Sequence, residues 1–251
     1  MIKLIIAFMA AITLTACGAK VDESKIDLTE EELQFIASHP TVTWALEDNR
    51  PPYIFVENSN IKGLSFDYLV LISKKTGINF QPIRTANFFN SIEALKNKQV
   101  DVMTALRPTP YRADFMGFTP PIAYNGGVFL FRVNTLPRSP MTTGIRRGEA
   151  VKDYLKERFQ DMKIVEVEDD EQSISLLQKG LLDGSVMDAG SANYLMNHAA
   201  IKMRKAAINF DYPYSFGYHK DNHILGSILT KAVISISNDD KKTLNQQWIK
   251  D

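Results

Sequence analysis

The sequence carries a single cysteine, Cys17, in 251 residues. No intramolecular disulfide framework is available, so the fold must rest on a hydrophobic core. No charge sign is in excess: 29 lysines and arginines stand against 29 aspartates and glutamates. A protein that neutralises a phosphate backbone needs a basic excess, so nucleic acid is not expected as a partner. P-loop, nucleophile-elbow and zinc-type spacings are missing. His219 and His223 lie four apart, but at a strand-to-helix turn, where a solvated loop is expected rather than a metal. No cofactor or metal is expected. The longest apolar run, residues 4–14, falls short of the ~20 residues that span a bilayer. What is there is a core: 45% of residues are hydrophobic. The length suits one large domain or two small lobes.

The N-terminus differs from the rest. Met1-Ile2-Lys3 is a positive start, and residues 4–14 are apolar except for Thr13. This is the shape of a secretory signal peptide. The segment ends in Leu14-Thr15-Ala16-Cys17, which resembles the bacterial lipobox. The resemblance implies that residues 1–16 are removed and that Cys17 is acylated, with palmitate or a similar chain, as the mature N-terminus. Each buried CH₂ of such chains adds ~0.8 kcal/mol, so several chains anchor firmly in the membrane. Gly18, rather than aspartate, follows Cys17, the pattern of outer-membrane lipoproteins in enteric-type bacteria. A plain signal peptide with an incidental cysteine is the other reading. Residues 17–27 are polar and aperiodic, as in a tether.

From there, strands and helices alternate. Thr29 and Glu32 form a capping box, with Leu28 and Leu33 placed to staple across it, and Pro40 ends that helix. Strands are expected at residues 42–46, 78–83, 100–105 and 128–133, and helices around Phe66 to Ile72 and Phe88 to Leu95. Thr109-Pro110 reads as an N-cap followed by proline at the first helical position. After the loop at residues 134–140 a second unit repeats the alternation. It has strands at 143–145, 163–167, 184–187, 202–207 and 215–219, with Asp169/Asp170 and Ser191 capping helices, and two helices close the chain. Alternation of this kind implies mostly parallel sheets, and two units imply two sheets with a cleft between them. Ligands of such sheets bind outside the carboxyl ends of strands.

Charged residues sit at three of those ends. Arg107 and Arg112 follow the strand at 100–105, where a guanidinium holds a carboxylate bidentately or is merely solvated. Asp188 follows 184–187, as an ammonium acceptor or a helix cap. Glu47, Asp48 and Arg50 follow 42–46, as ligand groups or a polar loop. Gly148 to Ala150 opens a helix whose free N–H groups favour an anion, unless the glycine is an ordinary turn.

Several segments then carry a family pattern. They are Gly63-Leu64-Ser65-Phe66-Asp67, Gln99-Val100-Asp101-Val102-Met103, Thr109-Pro110-Tyr111-Arg112 and Phe118-Thr119-Pro120-Pro121 in the first half. Gly180-Leu181-Leu182-Asp183, with Asp188 five residues on, and Tyr218-His219-Lys220-Asp221 come in the second, with Trp248 in the tail. In order and spacing, residues 28–250 closely resemble family 3 bacterial solute-binding proteins, in the flavour of the periplasmic sensing domains of sensor kinases. The resemblance implies an α/β fold: a type II two-lobed clamshell, each lobe a central mixed sheet flanked by helices. Lobe 1 would hold residues 28–130 plus 214–251 and lobe 2 residues 131–213, with the hinge near Phe129-Leu130-Phe131 and Tyr214 to Gly217.

It further implies that Arg112 grips a ligand carboxylate, that Asp188 takes the ammonium, that Phe88 forms a packing wall, and that Glu47 lies near the ligand. Three positions depart from the pattern. Arg50 replaces an aromatic, Arg107 a small hydroxyl residue, and Glu149 the serine or threonine after Gly148. These charges imply either a more polar ligand or salt bridges across the cleft mouth. The expected function is capture of a small polar, amino-acid-like ligand by a periplasmic, lipid-anchored monomer, without turnover. An ABC permease or a signalling partner reads the closed shape. A prephenate-type dehydratase on the same fold is the enzymatic alternative.

Overall fold

The computed structural model describes residues 26–198 and 202–249. The leader, the lipobox and Cys17 lie outside the described residues. The capping box is present: Glu32 N–H donates to Thr29 Oγ1 at 3.2 Å, and Thr29 N–H donates to Glu32 Oε2 at 2.7 Å. It starts α1 (Glu30–Ser38). Leu28 packs against the core, whereas Leu33, expected to staple with it, is exposed.

The first lobe continues with β1 (Thr41–Glu47), β2 (Asn49–Arg50), β3 (Ile54–Glu57) and β4 (Asn60–Lys62). The last three form a small antiparallel sheet. Its β3–β4 turn places Asn58 and Ser59 at φ 50° and 64°, the left-handed region that short polar side chains tolerate. Then come α2 (Leu64–Thr76), β5 (Asn79–Thr85), α3 (Phe88–Lys96), β6 (Val102–Leu106), the short α4 (Pro110–Ala113), β7 (Met116–Phe118) and β8 (Ala123–Arg132). The second lobe holds β9 (Thr142–Arg146), α5 (Val151–Arg158), β10 (Lys163–Val167), α6 (Asp170–Gln178), β11 (Gly184–Asp188) and α7 (Ala189–His198). β12 (Met203–His219) returns to the first lobe, and α8 (His223–Ser235) and α9 (Asn238–Trp248) finish the chain.

Within each lobe the strands run parallel, β5–β1–β6 in one and β10–β9–β11 in the other. The sheets are nevertheless not two separate bodies. β8 and β12 are antiparallel to each other and link everything into one path, β10-β9-β11-β8-β12-β6-β1-β5, with β7 on β12. The strands expected at 202–207 and 215–219 are one 17-residue strand. Register shifts between Ile208 and Asp211 and between Ser215 and Gly217 break its side-chain alternation, so a single strand reads as two in sequence. Residues Gly127 to Leu130 already pair with β11, so on β8 the second lobe begins ahead of residue 131.

One hydrophobic cluster runs through both lobes, from Trp44, Tyr68 and Ile72 through Phe216 and Leu229 to Ile145 and Leu155. α9 is tied back by Trp248 Nε1, which donates to Asp67 Oδ2 at 2.7 Å. Among the described residues no helix is long and apolar enough to cross a membrane.

The loop at residues 51–53 is held against the start of α2 by Leu64 N–H to Pro52 O (3.0 Å) and Ser65 N–H to Tyr53 O (2.9 Å). Gly63 makes this approach feasible. Its φ is +120°, and a Cβ there would sit 2.4 Å from the Tyr53 carbonyl oxygen.

Candidate functional site

The carboxyl ends of β1, β6, β9, β10 and β11 converge on one buried, charged cluster. From the first lobe come Glu47 at the end of β1, Arg50 on β2, Tyr53 on the loop pinned by Gly63, Phe88 at the start of α3, and Arg112 on α4. The second lobe contributes Arg146 at the end of β9, Gly148 and Glu149 in the turn after it, Asp170 at the start of α6, and Asp188 at the end of β11. Tyr212 and Tyr214 on β12 and Asn125 on β8 line the crossing.

The lobes meet directly. Arg112 Nη2 donates to Gly148 O at 2.9 Å, and its Nη1 is held by the Arg107 carbonyl. Arg50 Nη2 stands 3.7 Å from Glu149 Oε1, and Arg50 Nη1 stands 3.9 Å from Glu47 Oε1. Arg146 pairs closely with the same Glu149 oxygen, and its Nη1 lies 3.8 Å from Asp170 Oδ2. Tyr53 Oη donates to Asp188 Oδ1 at 2.5 Å, and Asn125 Nδ2 donates to Tyr53 Oη at 2.7 Å. Ser191 Oγ donates to Pro51 O at 3.3 Å. At the mouth, Asn87 bonds Glu168 and Asn49 reaches Asp169. Gly190 permits the closeness: a Cβ there would fall 2.6 Å from Asn125 Nδ2 and 2.7 Å from Tyr53 Oη. A surface groove lined by Glu47, Asn49, Asn87, Phe88, Arg146 and Asp169 opens beside the cluster.

Phe88 is the apolar pivot. The Cζ atoms of Arg50 and Arg146 both stand 4.6 Å from its ring centroid and that of Arg112 stands 5.2 Å away, so three guanidiniums surround one aromatic ring. Arg107 does not reach this pivot; it stacks on Phe210 of β12 at 3.8 Å.

Burial and charge push the ionisable groups in opposite directions. Loss of solvent lowers the Arg112 pKa to about 10, with the neighbouring arginines adding to the fall and Glu149 opposing it. Burial raises the Glu47 carboxyl, and Arg50 and Arg146 only partly offset this. Burial likewise lifts Asp170 to about 6 against the pull of Arg146. Glu149 faces the same burial cost, but Arg146, Arg50 and Arg112 outweigh it and hold its carboxyl below the usual range. Burial and the adjacent Asp188 hold the Tyr53 phenol well above its usual value, so it stays a donor.

Six of the seven expected ligand residues (Arg112, Asp188, Glu47, Arg50, Phe88 and Glu149) come together here, and Arg107 lies at the edge. Two details differ. α5 starts at Val151, not at Gly148; Gly148 is a left-handed turn residue (φ +83°), and the Glu149 N–H is taken by Arg146 O rather than left as a free helix-end donor. α7 starts at Ala189, and it is Asp188 Oδ1, accepting from Ser191 N–H at 3.0 Å, that caps it. Asp188 is thus a cap and a cleft acid at once. Sequence reasoning missed Tyr53, Asn125, Arg146, Asp170, Tyr212 and Tyr214 as site residues. Arg146 and Asp170 follow the strand-end rule, applied to β9 and β10; the tyrosines and Asn125 leave no signal in spacing.

Comparison with known proteins fits this geometry. The virulence sensor protein BvgS of Bordetella pertussis is 27% identical over 229 residues, 86% of this chain and 18% of BvgS. The sensor protein EvgS of Escherichia coli K12 is 24% identical over 238 residues, 90% of this chain and 20% of EvgS. The chain therefore spans about a fifth of the length of these relatives. The crystal structure of the periplasmic VFT2 domain of Bordetella pertussis BvgS superposes with a TM-score of 0.81 at 26% identity, covering 89% of this chain and 99% of that domain. Residues 42–251 match the pattern of one family throughout, and the chain belongs to the bacterial extracellular solute-binding proteins, family 3.

Proposed function

We propose that this chain is an extracytoplasmic receptor that captures a small zwitterionic, amino-acid-like ligand between its lobes and whose shape is read by a signalling partner. The observation that carries the reading is the balance of charge in the cleft. Three arginines (Arg50, Arg112, Arg146), with Arg107 at the edge, meet four acids (Glu47, Glu149, Asp170, Asp188) at the strand ends. A ligand bearing both signs exchanges into such a site without leaving a net buried charge, which an ion of one sign cannot do. Arg112 and Asp188, on opposite lobes, suit a carboxylate and an ammonium respectively. The kinship to sensor proteins supports a sensing role over uptake through an ABC permease. Binding without turnover is part of the same reading, and a turnover assay on prephenate-like acids separates it from the dehydratase alternative. In this reading Cys17 carries the lipid anchor that holds the receptor at the periplasmic face of the envelope.

The test is a thermal-shift panel of amino acids, polyamines, small dicarboxylates and prephenate-like acids, followed by calorimetry on the hits. A ligand that binds only the folded state raises the midpoint by mass action. An amino-acid hit whose affinity falls at least about tenfold, ~1.4 kcal/mol, in Arg112→Ala supports the reading. A hit confined to prephenate-like acids, with measurable turnover, sinks it.

A further inference from the structure

Glu149 stands where the family pattern has a small hydroxyl residue, and its carboxylate lies between cations of both lobes. Its side chain is only 9% exposed. One oxygen, Oε1, serves two guanidiniums: Arg146 in a close pair and Arg50 at 3.7 Å. Arg112 adds to the attraction that keeps this carboxyl ionised, after Arg146 and Arg50.

The seat is incompletely used. Arg50 Nε and Nη1, Arg146 Nε, and the hydroxyls of Tyr212 and Tyr214 are buried and make no hydrogen bond among the described residues. All of them can donate, which suits a planar acceptor with two oxygens better than the single oxygen Glu149 supplies. The opposite handle is filled in the same way, since Tyr53 and Asn125 take the Asp188 carboxylate. The cleft is thus closed on its own side chains.

We infer that Glu149 is a tethered ligand: its carboxylate occupies a carboxylate seat formed by Arg50 and Arg146, holds the lobes together without a solute, and is displaced by small molecules that bear a carboxylate. This rests on the reading of the cleft as a ligand site. It separates the seat at Arg50 and Arg146 from the carboxylate grip expected of Arg112. A solute carboxylate entering the seat makes the bonds that Glu149 leaves unmade and releases the side chain that ties the second lobe to the first. The ligand-free state is then the tightly bridged one, and binding exchanges one bridge for another.

The experiment is chemical rescue. Glu149→Ala, Glu149→Gln and the wild type are melted, and their radii of gyration measured by small-angle scattering, in chloride and in formate or acetate of equal ionic strength. Glu149→Ala is expected to expand and to melt on the order of 10 °C lower, because arginines in a buried site lose their counter-ion. Formate or acetate at tens of millimolar is expected to restore much of the loss in Glu149→Ala by mass action, and to move the wild type far less, because there a lone carboxylate competes with the tethered one for the seat. Glu149→Gln keeps the volume but not the charge, so it is expected to melt lower without rescue. A Glu149→Ala protein as compact and stable as the wild type overturns the proposal, as does a rescue equally large in the wild type. Should Glu149→Ala not fold, an unchanged midpoint in Glu149→Gln overturns it instead. Rescue together with silence across the amino-acid panel upholds the tethered carboxylate and rejects the zwitterionic ligand. An amino-acid hit without rescue does the reverse.

Discussion

Tyr53→Phe isolates one bond between the lobes. The hydroxyl is fully buried, donates to Asp188 Oδ1 at 2.5 Å and accepts from Asn125 Nδ2 at 2.7 Å. The ring, packed 4.3 Å from Tyr214 and 5.7 Å from the Arg50 guanidinium, stays in place after the change. What is lost is a hydrogen bond to a charged acceptor, worth ~1.5–3 kcal/mol. Asp188 keeps the Ser191 N–H at 3.0 Å and Asn125 at 3.4 Å, so its charge is not stranded and the lower half of that range is the better figure. For a chain of this size each kcal/mol moves the midpoint by ~2–4 °C, so the melt is expected ~3–8 °C lower. A double-mutant cycle with Asp188→Asn should return a coupling of ~1 kcal/mol or more. Ligand affinity should move the other way: with the phenol gone, an incoming ammonium no longer competes for Asp188, and the Kd of any amine-bearing ligand falls. A midpoint within about 1 °C of wild type, with coupling below ~0.5 kcal/mol, refutes the claim that this bond closes the cleft in solution.

Two further predictions concern pH and backbone. Burial raises the Asp170 carboxyl from 3.8 to about 6, so between those values the folded protein holds a proton that the unfolded chain has released. The stability this contributes is present below about pH 4 and is lost as pH rises through about 6, the opposite of an ordinary salt-bridged acid. The wild-type midpoint minus that of Asp170→Asn should therefore fall as pH is raised across that window; a flat difference in calorimetry counts against the assignment. Gly63→Ala should cost at least ~2 kcal/mol by denaturant melt, since the new Cβ meets the Tyr53 carbonyl at a φ that side chains avoid, and its ligand affinity should drop as the Tyr53 loop shifts. A neutral substitution there removes the argument that Gly63 positions Tyr53.

Much of this molecule is written in local chemistry. The capping box of Thr29 and Glu32, the Gly77 stop of α2 and the Asp169 cap of α6 are short-range signals, and the structure contains each of them. The parallel strand sets follow from alternation, and the strand-end rule points to Arg112, Asp188 and Glu47. Unreadable were the features that depend on the second lobe's position. Tyr53 lies in a Pro-Pro-Tyr loop with no periodicity, and its meaning comes from Asp188, 135 residues away. Asp170 reads as a helix-capping acid until Arg146 is brought beside it. The departures at Arg50 and Glu149 were visible, but only the folded chain pairs them with each other. β12 illustrates the other limit: its register shifts hide one strand as two.

That strand has a mechanical consequence. β12 is 17 residues long, ~55 Å at the usual rise, and its ladder with β8 runs unbroken in pairing partners from Met203–Arg132 to Tyr214–Ala123 except at the shift after Ile208. Lobes hung on loops swing with slack. Here the lobes share a hydrogen-bonded ribbon, which resists stretching and yields by twisting, with its compliance gathered at the register shift after Ile208. Rotation of the second lobe therefore winds the ribbon and reaches α8, directly after β12, as torque rather than as displacement.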